Sequence, residues 1–595
     1  MKDTVKNLEA LREMMRKNKV SAIIIPGTDP HQSEYVNPHW KLRDWVTGFT
    51  GSNGTAAVTL HDAGLWTDSR YFLQAGMQLK DSEVTLYKED IPGEPTVNEW
   101  LATQLSEGDV LAVDGKMFSV VQAARLEEFC GENGFRFATD FDPFDKIYTN
   151  RPELPLGKIF EHKVEYAGES ATDKISRVLA EAEKKGADAI LLSALDEIAW
   201  TLNIRCNDID YNPVAISYVY LSEDKKVIFI DERKVDADAK AFLDSIGVEV
   251  QPYDSLQAFL EKLKGISVLL DPNKTSDTVA RWLMKAVPVY AASPVALMKA
   301  VKNEVEIEGT RHAMERDGVA LVKMYMWLEK AVADGLAIKE TDVAQKAIEL
   351  RGESPLYRGE SFGMIAGYKE HGAIVHYSAT EESASTLKAE GLLLVDTGAQ
   401  YLDGTTDITR TVTLGTPTEE ERHDYTLVLK GHIAIGSAIY PVGTRGSQLD
   451  ALARHFLWNE CMTYLHGTGH GVGHFLNVHE GPQNIRLNEN PTVLVSGMIT
   501  SDEPGIYKAG KHGIRIENLV LSRDYRHTEE FGDFMNFEVL TLCPYDERLI
   551  DLSLLSDAEI NWINHYHSEV RRRLMPYLND EQRAWLEKKT AELTR

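Results

Sequence analysis

The length, composition and charge of the chain exclude several classes of protein. A chain of 595 residues is too long for one hydrophobic core, so its length predicts several domains. Its 43% hydrophobic and 26% charged residues are ordinary for a soluble globular protein, and no apolar run approaches the ~20 residues needed to span a bilayer. The formal net charge of -28 argues against a general nucleic-acid or anionic-membrane surface.

The N-terminal segment and the cysteines favour a cytoplasmic protein. The first twenty residues space their apolar side chains like one face of an amphipathic helix and contain no signal-peptide core. The cysteines lie far apart and form no C-x-x-C pair, which disfavours a zinc–thiolate site or a disulfide scaffold. We interpret them as reduced cysteines of the core. They are Cys130, Cys206, Cys461 and Cys543.

Two early segments repeat one plan, in which an amphipathic helix and a short basic turn precede a buried apolar strand. They are NLEALREMMRKNKVSAIIIP and KISRVLAEAEKKGADAILLS. The repeat favours a duplicated α/β module of about 150 residues, with the first copy ending near RPELPLG and the second near AASPVAL. The alternative is a chance succession of helix and strand. These limits predict domains at residues 1–155 and 156–297 and a third domain at residues 298–595.

The third domain opens with helices and continues with short strands. KNEVEIEGTRHAMERDGVALVKMYMWLEKAV and TDVAQKAIELRG predict two helices. Short strands separated by glycine turns follow, and this mixture indicates an α+β domain. The tail from Met535 contains the helical segment NWINHYHSEVRRRLMPYL, which we expect to pack on the same domain.

HGTGHGVGHFLNVHEG, at residues 466–481, is the first candidate metal-binding segment. Its first two histidines are four residues apart, as in a zinc-protease helix of the H-E-x-x-H type. The residues between them include no glutamate, however, and the glycines disfavour a helix. We expect a loop or strand end whose backbone comes close to a ligand, with further ligands elsewhere in the chain. The four histidines are His466, His470, His474 and His479.

Four carboxylates occur in strand-like segments of the third domain. LLLVDTGAQYLDGTTDITRTVTL places Asp396 at the end of an apolar strand and Asp407 at the start of the next, with an Asp-Gly turn between them. In GIRIENLVL, Arg515 and Glu517 point to the same face of a strand. Glu503 precedes a Pro-Gly turn in SDEPGIY, so it is expected at a strand end.

The combination of these features favours a metal site. Each alone has a structural explanation, because aspartate before Thr-Gly often forms a turn and glutamate in a strand is usually solvated or salt-bridged. Four carboxylates and one imidazole, however, form an oxygen-rich donor set that suits manganese, or less strongly cobalt or zinc. Two bridging carboxylates would allow so few ligands to hold a dinuclear site.

The motif set resembles the metal-binding blocks of the pita-bread metallopeptidases. VDTGAQYLDGTTDITRTV, HGTGHGVGHFLNVHEGP, TSDEPGIY and GIRIENLV occur in the same chain order. The resemblance is closest to the Xaa-Pro aminopeptidases (aminopeptidase P) of the long, three-domain cytosolic type. HQSEYVNP, GFTGSNGTA, LWTDSRYFLQA, ALDEIAWTLNIR and NPVAISY extend it over nearly the whole chain. It implies two creatinase-like α/β domains, a pita-bread α+β catalytic domain with a C-terminal helical extension, and a homodimer.

The resemblance also implies roles for single residues. It makes Asp407 and Glu517 bridging ligands of two divalent ions, with Asp396, His470 and Glu503 as the other ligands.

Three histidines and one arginine are implied to lie in or near the substrate site. His376, in HGAIVHYS, and His479 would contact the scissile peptide, and His466 would lie close behind them. His474 is interpreted as a structural or surface residue. Arg70, in WTDSRY, resembles a substrate-contacting arginine, with a structural salt bridge as its alternative.

The implied reaction is removal of the N-terminal residue from peptides with proline in second position. A hydroxide shared by two metal ions would attack, with Glu503 as general base. Tyr507 and Arg515 match positions beside the ligands and the substrate, where Arg515 can orient a carboxylate.

Two kinds of alternative function remain open. One shares the fold and is a prolidase limited to Xaa-Pro dipeptides, or another aminopeptidase. The other is a non-catalytic scaffold that has lost its metals and binds peptides or histones. Because all five ligand positions are filled, the sequence favours an enzyme.

Overall fold

The protein forms two compact units. The structure is a computed structural model and describes residues 3–595. The first unit comprises the residues up to Lys163 and Glu169–Val295, and the second comprises Val164–Gly168 and Ala296–Arg595. Within residues 3–595, no helix combines the length and the apolar character needed to cross a membrane. The exact domain limits near residues 155 and 297 stay a prediction.

The first α/β module occupies the N-terminal part of the first unit. Its first helix buries Leu8, Leu11 and Met15, as the apolar spacing predicts, and the next strand is buried throughout. The module therefore begins with the predicted helix and strand. Its strands are β1 (Ala22–Ile25), β2 (Thr55–Thr59), β3 (Ala63–Thr67), β4 (Val84–Lys88), β5 (Val110–Ala112) and β6 (Arg136–Ala138), and its helices are α1 (Asp3–Asn18), α2 (Leu42–Thr47), α3 (Phe72–Gln78), α4 (Val97–Gln104), α5 (Val120–Asn133) and α6 (Phe144–Ile147).

The second α/β module completes the first unit. Its first long helix, α8, also buries an apolar face, here through Ile175, Val178 and Ala182. The strands in this part of the chain are β7 (Phe160–Glu161), β8 (Ala189–Leu192), β9 (Ile204–Arg205), β10 (Ser217–Ser222), β11 (Lys226–Ile230), β12 (Glu249–Gln251), β13 (Ser267–Leu270) and β14 (Val287–Tyr290), and the helices are α7 (Val164–Ala167, in the second unit), α8 (Ala171–Lys184), α9 (Leu195–Leu202), α10 (Ala237–Ser245), α11 (Leu256–Leu260), α12 (Asp277–Arg281) and α13 (Pro294–Ala300, which spans the limit between the units).

The main sheets of the two modules have the same topology. Their strand orders are β4-β3-β2-β1-β5-β6 and β12-β11-β10-β8-β13-β14. At each corresponding position the neighbouring strands pair in the same sense: β1 and β8 are antiparallel to β2 and β10 and parallel to β5 and β13. The outer pairs follow the same rule. This agreement supports the predicted duplication over a chance succession of helix and strand.

The second unit opens with the two predicted helices. The first is capped at Asn303, whose side chain accepts from the Glu306 amide while the Glu306 carboxylate accepts from the Asn303 amide, both at 3.0 Å. This capping box fixes the start of the long helix. The helices of the unit are α14 (Glu304–Ala333), α15 (Glu340–Arg351), α16 (Glu419–Gly436), α17 (Gly446–Trp458), α18 (Asp557–Leu574) and α19 (Asp580–Lys589).

The strands of the second unit supply the residues of the candidate site. They are β15 (Tyr357–Glu360), β16 (Ile365–Tyr368), β17 (Leu392–Thr397), β18 (Ala399–Tyr401), β19 (Gly404–Thr405), β20 (Ile408–Thr413), β21 (Ile439–Pro441), β22 (Gly469–Gly471), β23 (Glu480–Ile485), β24 (Ile499–Asp502), β25 (Gly505–Lys508), β26 (His512–Arg515), β27 (Asn518–Thr528) and β28 (Gly532–Val539).

These strands form several small sheets and one larger one. The sheets have the orders β15-β18-β19, β16-β17-β20, β25-β26 and β21-β28-β27-β24-β22-β23. Helices and antiparallel sheets thus occur together in one unit, which confirms the predicted α+β character.

The C-terminal tail packs on this unit, as predicted. Apolar residues of α18, among them Ile563 and Val570, lie in one buried cluster with residues of α16 and β27. The buried Arg410 of β20 adds polar links, because its guanidinium donates to the Glu517 carbonyl at 2.6 Å and to the Tyr566 hydroxyl at 2.8 Å. The tail is therefore joined to the strand that follows Asp407.

The cysteines only partly match the prediction. All four are free thiols, and Cys130, Cys206 and Cys543 are buried. Cys461 is exposed, so its assignment to the core is wrong. It lies in the turn after α17, with a left-handed φ of 56°.

Candidate metal centre

Asp396 and Asp407 lie at the same end of a strand pair. β17 and β20 are antiparallel, with Asp396 opposite Thr409 and Thr397 opposite Ile408. All six residues of β17 are buried. Because Asp407 directly precedes β20, the register brings it to the end of the sheet where Asp396 lies. The predicted hairpin arrangement of these two carboxylates is thus present.

His470 lies on the short strand β22, not on a helix. A side chain at Gly469 would clash with the Ser501 carbonyl of β24, and a side chain at Gly471 would clash with the Glu480 carbonyl of β23. Glycine is therefore required on both sides of the histidine. The His470 Nδ1 lies 2.9 Å from the Gly471 carbonyl. This nitrogen donates to the carbonyl, which presents Nε2 to the carboxylates.

The five predicted ligands form one cluster. His470 Nε2 lies 3.4 Å from Asp407 Oδ2 and 3.5 Å from Glu503 Oε1. One donor atom from each of Asp407, His470 and Glu517 lies within 4.8 Å of the other two. Asp396 joins them through Arg515, which donates to Asp396 Oδ2 at 2.6 Å and to the Thr409 hydroxyl that contacts Glu517.

Without a bound cation, the environment of the cluster disfavours the ionised form of its carboxylates. Burial raises the pKa of Asp396, Glu503 and Glu517, and repulsion from Asp407 adds to each shift. The pKa of Glu503 rises to about 7. Burial alone would lower the pKa of His470, but its hydrogen bond to Asp407 and the charge of Glu503 raise it to about 9. A bound cation would reverse the repulsion that causes these shifts.

Arg515 holds one of the candidate ligands. Its Nη2 donates to Asp396 Oδ2 at 2.6 Å. The other oxygen, Oδ1, is buried and has no hydrogen-bond partner within the described residues. Thr409 cannot supply one, because its single hydroxyl proton is donated to Glu517 Oε2 at 2.8 Å. A buried acceptor without a donor is costly, and a cation would satisfy it.

The residues therefore fit divalent metal ions. The donor set contains the unpartnered Asp396 oxygen, a histidine Nε2, the buried carboxylates of Asp407 and Glu517 and the partly exposed carboxylate of Glu503, and it contains no thiolate. Such a set suits hard or borderline divalent cations.

A hydrogen-bonded chain extends from the ligand to His466. The Arg515 Nη1 donates to the Tyr507 hydroxyl at 2.7 Å, so that hydroxyl can give its own proton to His466 Nε2 at 2.8 Å. His466 Nδ1 lies 2.8 Å from the Gly467 carbonyl, to which it donates. This order of donors fixes one neutral tautomer of His466.

The strand that carries Arg515 is interrupted before Glu517, contrary to the prediction of one continuous strand. β26 ends at Arg515 and β27 begins at Asn518. Between them the Glu517 amide donates to the Thr409 carbonyl at 3.0 Å. Arg515 and Glu517 nevertheless lie side by side, because both contact the Thr409 hydroxyl, at 3.2 and 2.8 Å.

The remaining predicted histidines are distributed around the cluster. The ring of His479 lies 4.4 Å from that of His470 and at 74° to it. His376 lies in the loop between β16 and β17, next to Val375, whose carbonyl accepts from Arg515 Nη2 at 3.3 Å. His479 thus lies beside a candidate ligand, and His376 follows a residue that contacts Arg515.

Family models cover most of the chain. A model of the creatinase/prolidase N-terminal domain matches residues 7–144, and a second such model matches residues 150–306. The model of metallopeptidase family M24 matches residues 308–524, and that of the C-terminal region of peptidase M24 matches residues 533–593.

Curated relatives match the chain from end to end. The probable Xaa-Pro aminopeptidase P of Paracoccidioides brasiliensis is 42% identical, over 99% of this chain and 99% of the relative. The probable Xaa-Pro aminopeptidase P of Aspergillus niger is 40% identical, over 100% of this chain and 99% of the relative. The chain belongs to the Xaa-Pro aminopeptidase P family.

A solved structure supports this membership of the Xaa-Pro aminopeptidase P family. The X-prolyl aminopeptidase of Caenorhabditis elegans, described as a cytosolic enzyme with a di-nuclear active site, is 33% identical and covers 100% of both chains with a TM-score of 0.96. The Xaa-Pro dipeptidase of Bacillus anthracis, 22% identical, shares the fold over 63% of this chain and 99% of its own, with a TM-score of 0.50. The predicted fold class, two creatinase-like domains followed by a pita-bread domain, is confirmed.

Two predicted residues have clear structural partners. Arg70 forms a bidentate salt bridge with Asp68 inside the first unit, at 2.9 and 2.7 Å. This is the structural alternative for Arg70, and its substrate role stays a prediction. His474 is buried, with Nε2 3.1 Å from the Tyr166 carbonyl, so it has a structural position and not a surface one.

The sequence interpretation missed several residues around the site. Thr409 links Arg515 and Glu517, and its spacing of two from Asp407 on a strand was the available signal. Glu480, next to His479, is buried between Lys299 and Lys302, with N–O distances of 2.8 and 2.6 Å. Nothing in the local pattern indicates that contact, because the lysines lie far away in the chain.

Proposed function

We propose that this Xaa-Pro aminopeptidase P family member releases the N-terminal residue from peptides whose second residue is proline. The observation that carries the proposal is the cluster of four carboxylates and His470, in which Asp407, His470 and Glu517 offer donor atoms within 4.8 Å of one another and Asp396 has an unpartnered oxygen. The full-length similarity to probable Xaa-Pro aminopeptidases P supports the choice of substrate. The di-nuclear site of the Caenorhabditis elegans relative supports two ions in this cluster.

Two divalent ions would be held by the five clustered ligands. Asp407, His470 and Glu517 would contribute donor atoms that lie within 4.8 Å of one another. Manganese fits the oxygen-rich set best, with cobalt or zinc as alternatives. The bound ions would activate a water molecule and polarise the scissile carbonyl. The remaining parts of the reaction fall to side chains of the protein.

Glu503 moves the proton. It lies at the end of β24 and accepts a hydrogen bond from the Ser501 hydroxyl at 3.3 Å. Its carboxylate takes a proton from the attacking water and later gives it to the proline nitrogen as the C–N bond breaks. The products are a free amino acid and a peptide that begins with proline.

Three histidines and an aspartate orient the substrate. His479 and His376 donate hydrogen bonds to the developing oxyanion and to the adjoining peptide carbonyl. His466 acts through Tyr507, to which it is hydrogen-bonded. The α-amino group of the substrate lies against Asp396, which restricts cleavage to the first residue.

Release of arginine from Arg-Pro-Pro tests the proposal. The protein is stripped with a chelator and assayed with and without manganese, cobalt or zinc. Release that returns with metal supports an Xaa-Pro aminopeptidase. Activity on Arg-Pro alone would instead indicate a prolidase, which the full-length relatives disfavour. Folded protein that binds none of the metals and releases no arginine would favour the scaffold, and inactivity of folded, metal-loaded protein on both peptides would contradict the proposal.

Glu503→Gln tests the proton-transfer role. The amide keeps the shape of the side chain but cannot accept the proton, so we expect kcat to fall by at least about 10²-fold. Because Glu503 is also a proposed ligand, metal content is measured beside the rate. The matched control is Glu529→Gln, at an exposed site, which should behave as the wild type. Near-normal turnover by Glu503→Gln would remove it from the mechanism.

Assembly, location and domain limits complete the proposal. We propose a homodimer, to be measured by light scattering after size-exclusion chromatography. A cytoplasmic location is supported by the cytosolic description of the Caenorhabditis elegans relative. The proposed domains are residues 1–155, 156–297 and 298–595, and limited proteolysis at their limits would test them.

A further inference from the structure

Glu340 is a buried carboxylate that the proposed mechanism does not use. It is the first residue of α15, and its relative exposure is 0%. One oxygen accepts from the Tyr368 amide at 2.7 Å and lies 2.9 Å from His371 Nδ1. The other accepts from the Tyr377 hydroxyl at 2.9 Å and the Ser385 amide at 2.8 Å. One side chain thus holds four points on the segment 368–385.

This segment carries His376. The residue before it, Val375, offers its carbonyl to Arg515 Nη2 at 3.3 Å. The residue after it, Tyr377, donates its hydroxyl to Glu340. His376 therefore lies between two residues with defined contacts. Val375 accepts a hydrogen bond from Arg515, and Tyr377 donates one to Glu340.

Packing contacts also hold the residues around His376 in place. The Tyr377 ring stacks on the His371 ring, with centroids 4.4 Å apart and an interplanar angle of 29°. The turn at residues 369–373 packs against β26, because a side chain at Gly513 would clash with the Gly372 carbonyl. The part of the loop after Tyr377 includes exposed residues. Within the described residues, Glu340 is thus the polar centre that joins the two ends of this loop.

We propose that Glu340 is a positioning residue for His376, acting through Tyr377. Charge-assisted hydrogen bonds to a buried carboxylate are about twice as strong as neutral ones, so this contact can fix the loop on which His376 lies. A shift of about 1 Å in a positioned group can cost about 10²-fold in rate. The inference rests on the proposed function, in which His376 contacts the scissile peptide.

A purely structural role makes a different prediction. An acidic residue in the first turn of α15 also stabilises that helix through its dipole. In that case, removing the contact would lower thermal stability and would reduce activity equally whether or not His376 is present. A positioning role requires that the loss depend on His376.

A double-mutant cycle separates the two roles. Tyr377→Phe removes only the hydroxyl, and we expect kcat for Arg-Pro-Pro to fall about tenfold, with KM, metal content and thermal midpoint close to wild type. In a His376→Ala background the same substitution should change kcat by less than about twofold. An undiminished loss in that background, or an unchanged kcat in Tyr377→Phe alone, would overturn the inference. Glu381→Gln, on the same loop with an exposed side chain, is the control and should leave kcat unchanged.

Hydrogen–deuterium exchange gives a readout that needs no turnover. Glu340→Gln should speed amide exchange in the segment 368–385 and leave exchange in the other peptides of the second unit unchanged. Unchanged exchange in that segment would overturn the inference. If Glu340→Gln does not fold, Tyr377→Phe is tested in the same way. Inactivity of metal-loaded wild-type protein would count against the proposed function, whereas wild-type activity with an unaltered Tyr377→Phe variant would count against the positioning role alone.

Discussion

At the scale of single residues, Arg515 organises the candidate metal centre. Its guanidinium donates to Asp396 at 2.6 Å, to Tyr507 at 2.7 Å and to Thr409 at 3.2 Å, and the residue is 1% exposed. A planar fork with several donors reaches these groups at once, which the ammonium group of lysine cannot do. The buried positive charge also offsets part of the repulsion among the carboxylates.

Arg515→Lys should weaken metal binding. The variant keeps the charge but loses the fork that orients Asp396, so we expect metal affinity to fall about 10- to 100-fold. Competition with a chromogenic chelator measures this affinity. The matched control is Arg523→Lys, where an exposed arginine pairs with Glu538. Equal metal affinity in the two variants would show that the guanidinium of Arg515 is not required to orient Asp396.

At the scale of elements, strand β22 depends on close backbone approach. Its neighbours β23 and β24 come so near that neither Gly469 nor Gly471 has room for a side chain. The strand also presents His470 to the carboxylates. Strand pairing and metal binding therefore depend on the same few residues.

Gly469→Ala should disrupt both properties. The added methyl group meets the Ser501 carbonyl, so the strand must shift and His470 with it. We expect lower metal occupancy, measured by mass spectrometry of the intact metal complex, and a lower thermal midpoint. Gly131→Ala, in a helix with open space around the glycine, is the control and should be neutral or stabilising. Full occupancy in Gly469→Ala would contradict the close-approach argument.

Local patterns were sufficient for much of the fold and the candidate site. Apolar periodicity predicts α1, α14 and the strand before Asp396, and the glycines around His470 predict an extended chain. Patterns do not reveal contacts between distant segments, so the network of Glu340 and the lysines around Glu480 were not predicted. The break between β26 and β27 was also missed, because GIRIENLVL alternates like one strand and only the amide contact of Glu517 with Thr409 interrupts it.

At the scale of the whole molecule, the metal centre couples stability to pH. In the metal-free protein the pKa values of Asp396, Glu503, Glu517 and His470 are all raised. At these four groups the folded state therefore binds more protons than the unfolded state. The contribution of these groups to the stability of the folded state is fully present below their pKa values in the unfolded chain. It is lost as pH rises through their pKa values in the folded protein, about 7 for Glu503 and about 9 for His470.

Metal should stabilise the protein more at high pH than at low pH. Ions compete with protons for the same ligands, so binding releases protons and tightens as pH rises. We expect manganese to raise the thermal midpoint more at pH 9 than at pH 6, as measured by calorimetry of stripped and reloaded protein. An equal rise of the thermal midpoint with manganese at the two pH values would contradict the assigned ligand set.

The links between Arg410 and the C-terminal tail have a consequence for synthesis of the protein. The candidate ligands span residues 396–517, and the strand after Asp407 is held by the Tyr566 hydroxyl. A nascent chain that has just exposed His470 lacks two of the carboxylates and this support from the tail. Folding of the site thus depends on contacts of long sequence separation, which form late. We therefore expect stable metal binding only after the tail has packed against the strand that follows Asp407.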